Sequence, residues 1–489
     1  MQILTACNLT FGLTRDHLDP ELEVPKSYRE SNASANAALP TLEWWRAFKS
    51  SELTGLMEQA QIANLDIAAA VARISEADAQ ARIAGAALLP TITGNANASH
   101  TSRTVAASTA GAGIAATDGT GVTSVSTGSG VNRSSLLATL NASYQLDFWG
   151  RNRALLRAAE ESAVASRFDR EVVALSTLVS VANAYFLVLE AQDRLKVANE
   201  NLTAAERILR LVEDRFKSGT AAALDVAQQA SVVAIQRASI PPLIVVVKQN
   251  MATLALLIGR APESVRIRGG SMFQLAVPRV TPGIPSNVLT RRPDIREAEA
   301  KLVSADANVE AARAAFFPNI QLTGQAGFQS AVLRTLFGPG AAFYTVAASL
   351  AQPIFDGGQL LGQLDLQSAT RVELLQNYRK AVISAFTDVE KALIAVQQTT
   401  RQEQLQRDAV NQARRAFELS EERLRAGTID LTTLLTTEQT LFQQEDVLAQ
   451  VRFARLQAAV TLYQALGGGW QMEDKPIQRA DIAGRPRIQ

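Results

Sequence analysis

Few side chains in this sequence could carry out chemistry. The two histidines, His17 and His100, fall in segments predicted to be irregular, and Cys7 is the only cysteine. Neither histidine belongs to a His/Cys/Asp group with the spacing of metal ligands, and no serine stands in a nucleophile elbow beside a usable base. The sequence therefore predicts no catalytic residue, no metal site and no cofactor. A structural disulfide is excluded as well.

Cys7 ends the tetrapeptide Leu4-Thr5-Ala6-Cys7, which resembles the lipobox of bacterial lipoproteins. There the cysteine becomes the acylated first residue of the mature chain, which makes Cys7 the candidate lipidation site. A lipobox normally follows a charged and then an apolar leader, whereas only six residues precede Cys7. The tetrapeptide is either an acylation site or a chance match.

Composition favours packed helices over a large globular core. Aromatic residues make up 6% of the chain, and much of the apolar excess is alanine, which suits close helix packing. A net charge of +1 argues against a nucleic-acid partner. No run of eighteen apolar residues occurs, so we expect strands, not helices, to cross any membrane.

Every second residue of the segment 136–148 is apolar, and the intervening residues from Thr139 to Asp147 are polar. A period of two places one set on each face of a strand, and the segment exceeds the usual length of about five or six residues. It is typical of a wall strand in a transmembrane β-barrel, although a strand of a soluble sandwich remains an alternative. The apolar set is Leu136, Ala138, Leu140, Ala142, Tyr144, Leu146 and Phe148.

A helix-forming stretch follows the strand. No proline or glycine occurs from Arg151 to Ser218, which as one helix would be about 100 Å long at about 1.5 Å per residue. Its apolar residues step by four and three, as in a coiled-coil seam. The same design recurs about 207 positions later, where Phe355 matches Phe148 and Gly427-Thr428 matches Gly219-Thr220. The chain therefore contains two tandem repeats.

The repeats define the predicted organisation. Each has a helix, a β-hairpin, a long helix, a glycine turn and a returning helix. The two short helices together match the long one in length, so we expect them to stack end to end. The predicted segments are an N-terminal wrap and possible anchor (1–50), repeat 1 (51–258, hairpin 91–148, long helix 151–218), a linker (259–287), repeat 2 (288–466, hairpin 319–355, long helix 359–425) and a tail (467–489).

Four strands cannot close a barrel, and an open sheet edge is not tolerated in lipid. Closure requires further copies of the chain: two copies would give eight strands, and three would give twelve. The predicted fold class is mainly α with a membrane β-barrel, completed by oligomerisation.

Several motifs together resemble the TolC-type outer-membrane efflux channels, in their OprM-like (NodT-type) lipoprotein branch. The resemblance covers roughly residues 40–470. The matching motifs are Leu146-Asp147-Phe148-Trp149-Gly150-Arg151, Arg291-Arg292-Pro293-Asp294-Ile295, Phe316-Phe317-Pro318, Pro353-Ile354-Phe355-Asp356-Gly357-Gly358 and the two glycine turns.

This resemblance implies a homotrimer whose twelve-stranded β-barrel in the outer membrane continues into a periplasmic α-helical barrel. It implies a passive conduit for drugs or other small amphipathic compounds, served by an inner-membrane RND-type pump and a periplasmic adaptor protein. A duct for type I protein secretion is the alternative with the same fold. A purely structural coiled-coil scaffold would leave the alternating strands unexplained.

The resemblance also assigns roles at the glycine turns. It implies that Arg215, Gly219 and Thr220, with Arg423, Gly427 and Thr428, form the tip that meets the adaptor, although each glycine could simply end a helix. Relatives narrow the pore just inside the tip with acidic residues. Thr432 and Thr436 occupy the constriction positions here. The nearby carboxylates, Asp225 and Asp430, either line the closed aperture or cap helices.

Overall fold

The computed structural model describes Pro25, Tyr28 and residues 41–103, 131–278, 285–468 and 470. Cys7, His17, most of the loop between the first two strands and most of the tail lie outside the described residues. The helices are α1 (Ser51–Ala63), α2 (Leu65–Ala86), α3 (Arg151–Lys217), α4 (Ala223–Leu257), α5 (Pro285–Arg291), α6 (Pro293–Ala314), α7 (Gln359–Arg425) and α8 (Leu431–Ala465). The strands are β1 (Thr91–Arg103), β2 (Val131–Leu146), β3 (Asn319–Ser330) and β4 (Ala342–Ala351).

The two long helices are uninterrupted. α3 and α7 each contain 67 residues, which corresponds to about 100 Å at about 1.5 Å per residue. Their bounds follow the predicted 151–218 and 359–425 to within one residue. The helix predicted before the first hairpin is instead two helices, because Asn64 adopts an extended conformation between α1 and α2.

The strands form one antiparallel sheet in the order β1-β2-β3-β4. β2 and β3 come from different repeats and pair along eleven positions, including Tyr144 with Leu322. Each repeat therefore contributes one hairpin to the same sheet. In the described residues, one long edge of β1 and one of β4 have no strand partner.

Two strands end earlier than predicted. β2 stops at Leu146 and β4 at Ala351, so Phe148 and Phe355 lie outside the sheet. The physical reason is helix capping: the Asp147 carboxylate accepts hydrogen bonds from the Asn152 and Arg153 N–H groups, both at 2.9 Å. Capping carboxylates stabilise a helix start. At β2 the chain therefore leaves the sheet after Leu146, although the alternation of apolar and polar residues continues to Phe148.

The described chain forms two compact units. One comprises residues 1–78, 160–304 and 370–489, and the other comprises 79–159 and 305–369. Each unit draws on both repeats. The division in space therefore differs from the sequential division that the repeats suggest.

An aromatic cluster lies in the core of the first unit. Trp44 stacks on Tyr463 with ring centroids 5.3 Å apart, and Phe48 lies 5.2 Å from Phe186. Trp44, Trp45 and Phe48 are all buried. The described end of the predicted N-terminal wrap is therefore part of this core, because its aromatic residues pack against α3 and α8.

Asn64 joins α4 to α2. Its side-chain amide donates to the Leu257 carbonyl at 2.7 Å, at the end of α4. The side-chain oxygen of Asn64 accepts from two N–H groups in the first turn of α2, at 2.9 and 3.0 Å. Gly259 allows the close approach, since a Cβ there would lie 2.1 Å from the Ala63 carbonyl oxygen. Two short helices thus meet end to end, as their lengths predict.

The second repeat has an equivalent joint between α8 and α6. The Arg292 guanidinium donates to the Ala465 carbonyl at 3.4 Å, and it binds both oxygens of Asp294 at 3.0 and 2.7 Å. A Cβ at Gly467 would lie 2.6 Å from the Arg291 carbonyl oxygen. The Arg-Arg-Pro-Asp motif therefore binds the end of one short helix to the start of another.

Two helices are long and apolar enough to cross a membrane by length and composition, namely α3 and α4. The apolar window of α3 is 56% buried, as in the core helix of a soluble protein, whereas that of α4 is 17% buried. This criterion uses the average hydropathy of a window, so it does not conflict with the absence of a run of eighteen apolar residues in the sequence. Assignment of the strands to the membrane therefore rests on the sheet itself.

Candidate functional site: the helix-hairpin tips and the sheet

The first tip is a glycine-terminated helix end. Gly219 has φ +72°, and its N–H donates to the Phe216 carbonyl at 2.9 Å. The Thr220 N–H donates to the Arg215 carbonyl at 2.9 Å, and the Thr220 hydroxyl donates to the same oxygen at 3.1 Å. These bonds form a Schellman motif, which satisfies the last free carbonyls of α3.

The second tip repeats this geometry. Gly427 has φ +73°, and its N–H donates to the Leu424 carbonyl at 3.0 Å. The Thr428 N–H and hydroxyl both donate to the Arg423 carbonyl, at 3.0 and 3.1 Å. Each glycine therefore ends a helix, as the simpler interpretation predicts. The assignment of these six residues to adaptor contact stays a prediction.

The two tips differ in their arginines. The Arg215 guanidinium donates to the Leu424 carbonyl at 2.9 Å, so the first hairpin is hydrogen-bonded to the end of α7 in the second. Among the described residues, no side chain or carbonyl accepts a hydrogen bond from the Arg423 guanidinium. Arg215 therefore links the two hairpins, whereas its equivalent Arg423 is exposed at the surface.

Both candidate pore carboxylates cap helices. The Asp225 carboxylate accepts from the Ala222 N–H at 2.8 Å, ahead of α4. Asp430 is the N-cap of α8 and accepts from the Thr433 hydroxyl at 2.6 Å and the Thr433 N–H at 2.9 Å. These bonds hold the pKa of Asp430 below its usual range, because they favour the charged form. A pore-lining role for Asp225 and Asp430 stays a prediction.

Thr432 and Thr436 lie on one exposed face of α8. The Thr436 hydroxyl donates to the Thr432 carbonyl at 2.9 Å, and the Thr440 hydroxyl donates to the Thr436 carbonyl at 2.7 Å. These three side chains therefore present methyl groups and hydroxyl oxygens and no charge. The constriction assignment of Thr432 and Thr436 likewise stays a prediction.

A buried polar layer lies just inside the tips, and sequence reasoning missed it. Gln229 on α4 and Glu438 on α8 are both fully buried, and the Gln229 amide donates to Glu438 at 3.4 Å and to the Ala205 carbonyl on α3 at 3.1 Å. Burial raises the pKa of Glu438 to about 7, and the negative charge of Glu421 adds to the increase, although the Gln229 hydrogen bond and Arg207 oppose it.

The sequence did contain a signal for this layer. Glu438 falls four residues after Leu434 and three before Leu441, in the seam of α8. A charged residue in an apolar seam indicates a buried polar group. What the sequence could not supply is its partner, because Gln229 comes from the other repeat and is brought in only by tertiary packing.

The sheet has two chemically distinct faces. The apolar face includes highly exposed side chains, for example Tyr344 at 83% and Val346 at 79%. The register places Asn95 opposite Thr139, and Asn141 opposite Gln325, on the polar face. From the Thr91 level to the Ser99 level, the polar face carries mostly amides, hydroxyls and small side chains and no Asp, Glu, Lys or Arg. Leu137 and Phe343 are its two large apolar members.

Aromatic and apolar residues gather where the strands end. Trp149 stacks on Phe317 with centroids 4.7 Å apart and donates its indole N–H to the Pro318 carbonyl at 2.9 Å. Phe148 and Phe355 are 72% and 91% exposed. In transmembrane β-barrels, girdles of aromatic residues border the apolar band.

The chain is similar to known proteins in sequence and in structure. The model of the outer membrane efflux protein family matches residues 56–260 and 284–468. The chain is similar to the pyoverdine export outer membrane protein OpmQ of Pseudomonas aeruginosa, with 40% identity over 483 residues that cover 98% of this chain and 99% of OpmQ. The probable efflux pump outer membrane protein TtgC of Pseudomonas putida is 35% identical over 338 residues, covering 69% and 70% of the two chains.

Among solved structures, the chain resembles the open state of the MtrE outer membrane channel of Neisseria gonorrhoeae. The TM-score is 0.79 at 29% identity, and the match covers 92% of this chain and 96% of MtrE. The similarity therefore extends over the helices, the hairpins and the sheet together.

Proposed function

Because the chain belongs to the outer membrane efflux protein family, we propose that it is the outer-membrane channel component of a tripartite efflux system. The outer membrane is its location, and members of this family are passive conduits rather than enzymes. Both the resemblance noted in the sequence and the prediction that the chain is not an enzyme are confirmed. The energy for transport then comes from a partner, an inner-membrane RND-type pump that acts through a periplasmic adaptor.

One observation carries the proposal: a two-faced sheet with unpaired edges. In hydrocarbon an unpaired backbone group costs several kcal/mol, so β1 and β4 must pair with strands of other chains. Three copies supply twelve strands, and their apolar faces then contact lipid while their polar faces line an aqueous pore. The exposed aromatic residues beyond Leu146 and Ala351 mark the membrane boundary in this arrangement.

Bare apolar side chains on the helices support the same assembly. On α7 they recur at intervals of about eleven residues, which keeps them nearly in line on a straight helix. They are 41–61% exposed: Val372, Ile383, Ile394 and Leu405. Neighbouring copies of the chain would cover this stripe in a homotrimeric helical barrel.

The cargo we propose is small and amphipathic, such as drugs or secreted metabolites. OpmQ is named for pyoverdine export and TtgC for an efflux pump. The uncharged polar face suits cargo of either charge sign, because it offers hydrogen bonds without repelling cations or anions. Export of a polypeptide by a type I secretion system is the alternative.

The anchor belongs to the same proposal. If Cys7 is acylated, its lipid chains hold the N-terminus in the outer membrane beside the barrel. Acylation would raise the mass of the mature chain by that of its acyl chains, and a Cys7→Ser variant would lack this increase.

The test combines imaging with a deletion strain. Protein extracted by detergent from outer membranes should give hollow, threefold cylinders well over about 100 Å long, as the long helices require. The deletion strain should accumulate small compounds and lose tolerance to them, and the intact gene should restore both. Globular or filamentous particles would refute the barrel, and retention of a secreted protein with unchanged drug tolerance would favour the alternative.

A further inference from the structure

The buried layer inside the tips has an excess of hydrogen-bond acceptors. The Gln229 amide uses both of its N–H groups, one on the Ala205 carbonyl and one on a Glu438 oxygen. The second oxygen of Glu438 and the side-chain oxygen of Gln229 are both buried, and neither has a hydrogen-bond partner among the described residues. An ionised Glu438 cannot correct this, since a carboxylate only accepts. A protonated Glu438 supplies the missing donor.

The charges around the layer do not provide a counter-ion. On α3, Arg207 donates to Glu421 at 2.9 Å. On α7, Glu421 also accepts from Arg425 at 2.5 Å. In the part of the chain that the structure describes, no Lys, Arg or His side chain forms an ion pair with Glu438. Glu421 adds negative charge on the α7 side. The α4 side contributes the neutral Gln229.

The surroundings of Glu438 are apolar. It lies on α8 between Leu434 and Leu441, and those two side chains belong to an apolar cluster that also contains Val233 of α4 and Phe417 of α7. Four helices therefore meet around one carboxyl group, eleven residues beyond Gly427. A charge buried there without a partner cation is costly.

We propose that Glu438 is a proton-binding site, whose neutral form holds α4 and α8 together and whose ionised form loosens the helices just inside the tips. Its ligand is a proton of the surrounding solution. The inference depends only on the hairpin bundle and stands whether or not the chain conducts any cargo.

The direction of the pH effect follows from the raised pKa of Glu438 in the folded chain. The pKa of Glu438 is about 7 in the folded bundle, against about 4.3 for a solvated glutamate. Stability from the bound proton is therefore complete below about pH 4.3 and is lost as the pH rises through about 7. The tips are tight in mild acid and looser in alkali.

Hydrogen exchange of the full-length protein in detergent tests this directly. After correction for intrinsic exchange rates, peptides covering the starts of α4 and α8 should open up to about 30-fold more at pH 8 than at pH 5.5, since one proton changes an equilibrium up to about tenfold per pH unit over the roughly 1.5 units between pH 5.5 and the pKa. Glu438→Gln, which is neutral at every pH, should abolish this difference. The matched control is Glu418→Gln on the exposed surface of α7, which should retain it.

Infrared difference spectra provide a second readout that is independent of bundle opening. The wild-type protein should show a carboxylic acid band that disappears with a midpoint near pH 7, and this band should be absent in Glu438→Gln and present in Glu418→Gln. If no carboxylic acid titrates above about pH 6, or if the band persists in Glu438→Gln, the proposal is overturned. The absence of a carboxylic acid that titrates above about pH 6 is observed in the wild-type protein, so it overturns the proposal even if Glu438→Gln does not assemble.

Discussion

Polar side chains are arranged in opposite ways in the sheet and in the hairpin bundle. In the sheet, Asn141 and Gln325 lie on a continuous polar face, and many apolar side chains of the other face are exposed. In the bundle, Gln229 and Glu438 lie in the interior and apolar residues surround them. The period of the backbone decides which arrangement forms. Alternation places the two classes on opposite faces, whereas a seam position admits a single polar residue into the core.

The two regions therefore differ in the substitutions that they tolerate. A face whose polar groups are solvated accepts a new charge, because water satisfies it. A buried layer accepts a change only if the number of donors and acceptors stays balanced. Single substitutions in the two regions test these tolerances.

The two faces of β3 should respond differently to the same new charge. Ala326 lies on the apolar face, where it pairs with Leu140 and Tyr344, and its neighbour Gln325 lies on the polar face. Ala326→Arg should destabilise the membrane-inserted protein by about 2–4 kcal/mol, as arginine does at a lipid-facing midplane position. Gln325→Arg should be nearly neutral. Urea titration of folding into lipid vesicles measures both, and equal losses would contradict the assignment of the faces.

The tip glycines should be required for their backbone conformation and not for space. Gly219 and Gly427 have positive φ, and no atom lies within 4 Å of the position that a Cβ would occupy at either residue. Replacement by alanine should cost about 1–2 kcal/mol in local opening, the usual penalty for a left-handed residue with a Cβ. Asparagine at the same positions should cost less. Hydrogen exchange at the ends of α3 and α7 distinguishes these outcomes, and an alanine without effect would refute the argument.

Arg215 and Arg423 form a matched pair at equivalent positions of the two repeats. Arg215→Gln removes the bond to the Leu424 carbonyl and should loosen the contact between the hairpins by about 1 kcal/mol. Arg423→Gln should leave that contact intact. Cross-linking between cysteines introduced in the two hairpins would report the difference, and equal effects would mean that the Leu424 bond does not hold the hairpins together.

The smallest effect should come from the cap of α8. The pKa of Asp430 is lowered in the folded chain, so its contribution is present above its unfolded pKa and is lost as the pH falls through the lowered value. Asp430→Asn keeps an N-cap and should remove this acid sensitivity.

The pore prediction for Asp225 and Asp430 is tested separately by the single-channel conductance of Asp225→Ala and Asp430→Ala. An unchanged conductance in both variants would refute it.

Local signals in the sequence predicted much of the fold. Glycines flank α3 and α7 at both ends and predicted where these helices begin and end, and alternation located the strands, because both signals depend on residues close together in the chain. The ends of β2 and β4 were wrong since the alternation outlasts the ladder, and at β2 the capping role of Asp147 explains the early exit.

The candidate site was predictable only in part. The Schellman geometry at Gly219 and Gly427 follows from the motif itself. The link from Arg215 to Leu424 and the partnership of Gln229 with Glu438 join residues more than 200 positions apart. Such contacts depend on the rotation of four helices about their axes, which neither repeat specifies alone.

The joints at Asn64 and Arg292 make the stacked pairs of short helices differ from the long continuous helices in how they can bend. An uninterrupted rod such as α3 can bend sharply only by breaking its own ladder of hydrogen bonds. A column assembled from α4 and α2 can flex where the two segments meet, because the side chain of Asn64 connects them there and not a continuous ladder. Each long helix thus has a jointed counterpart, and bending at the joint would break no continuous ladder of helical hydrogen bonds.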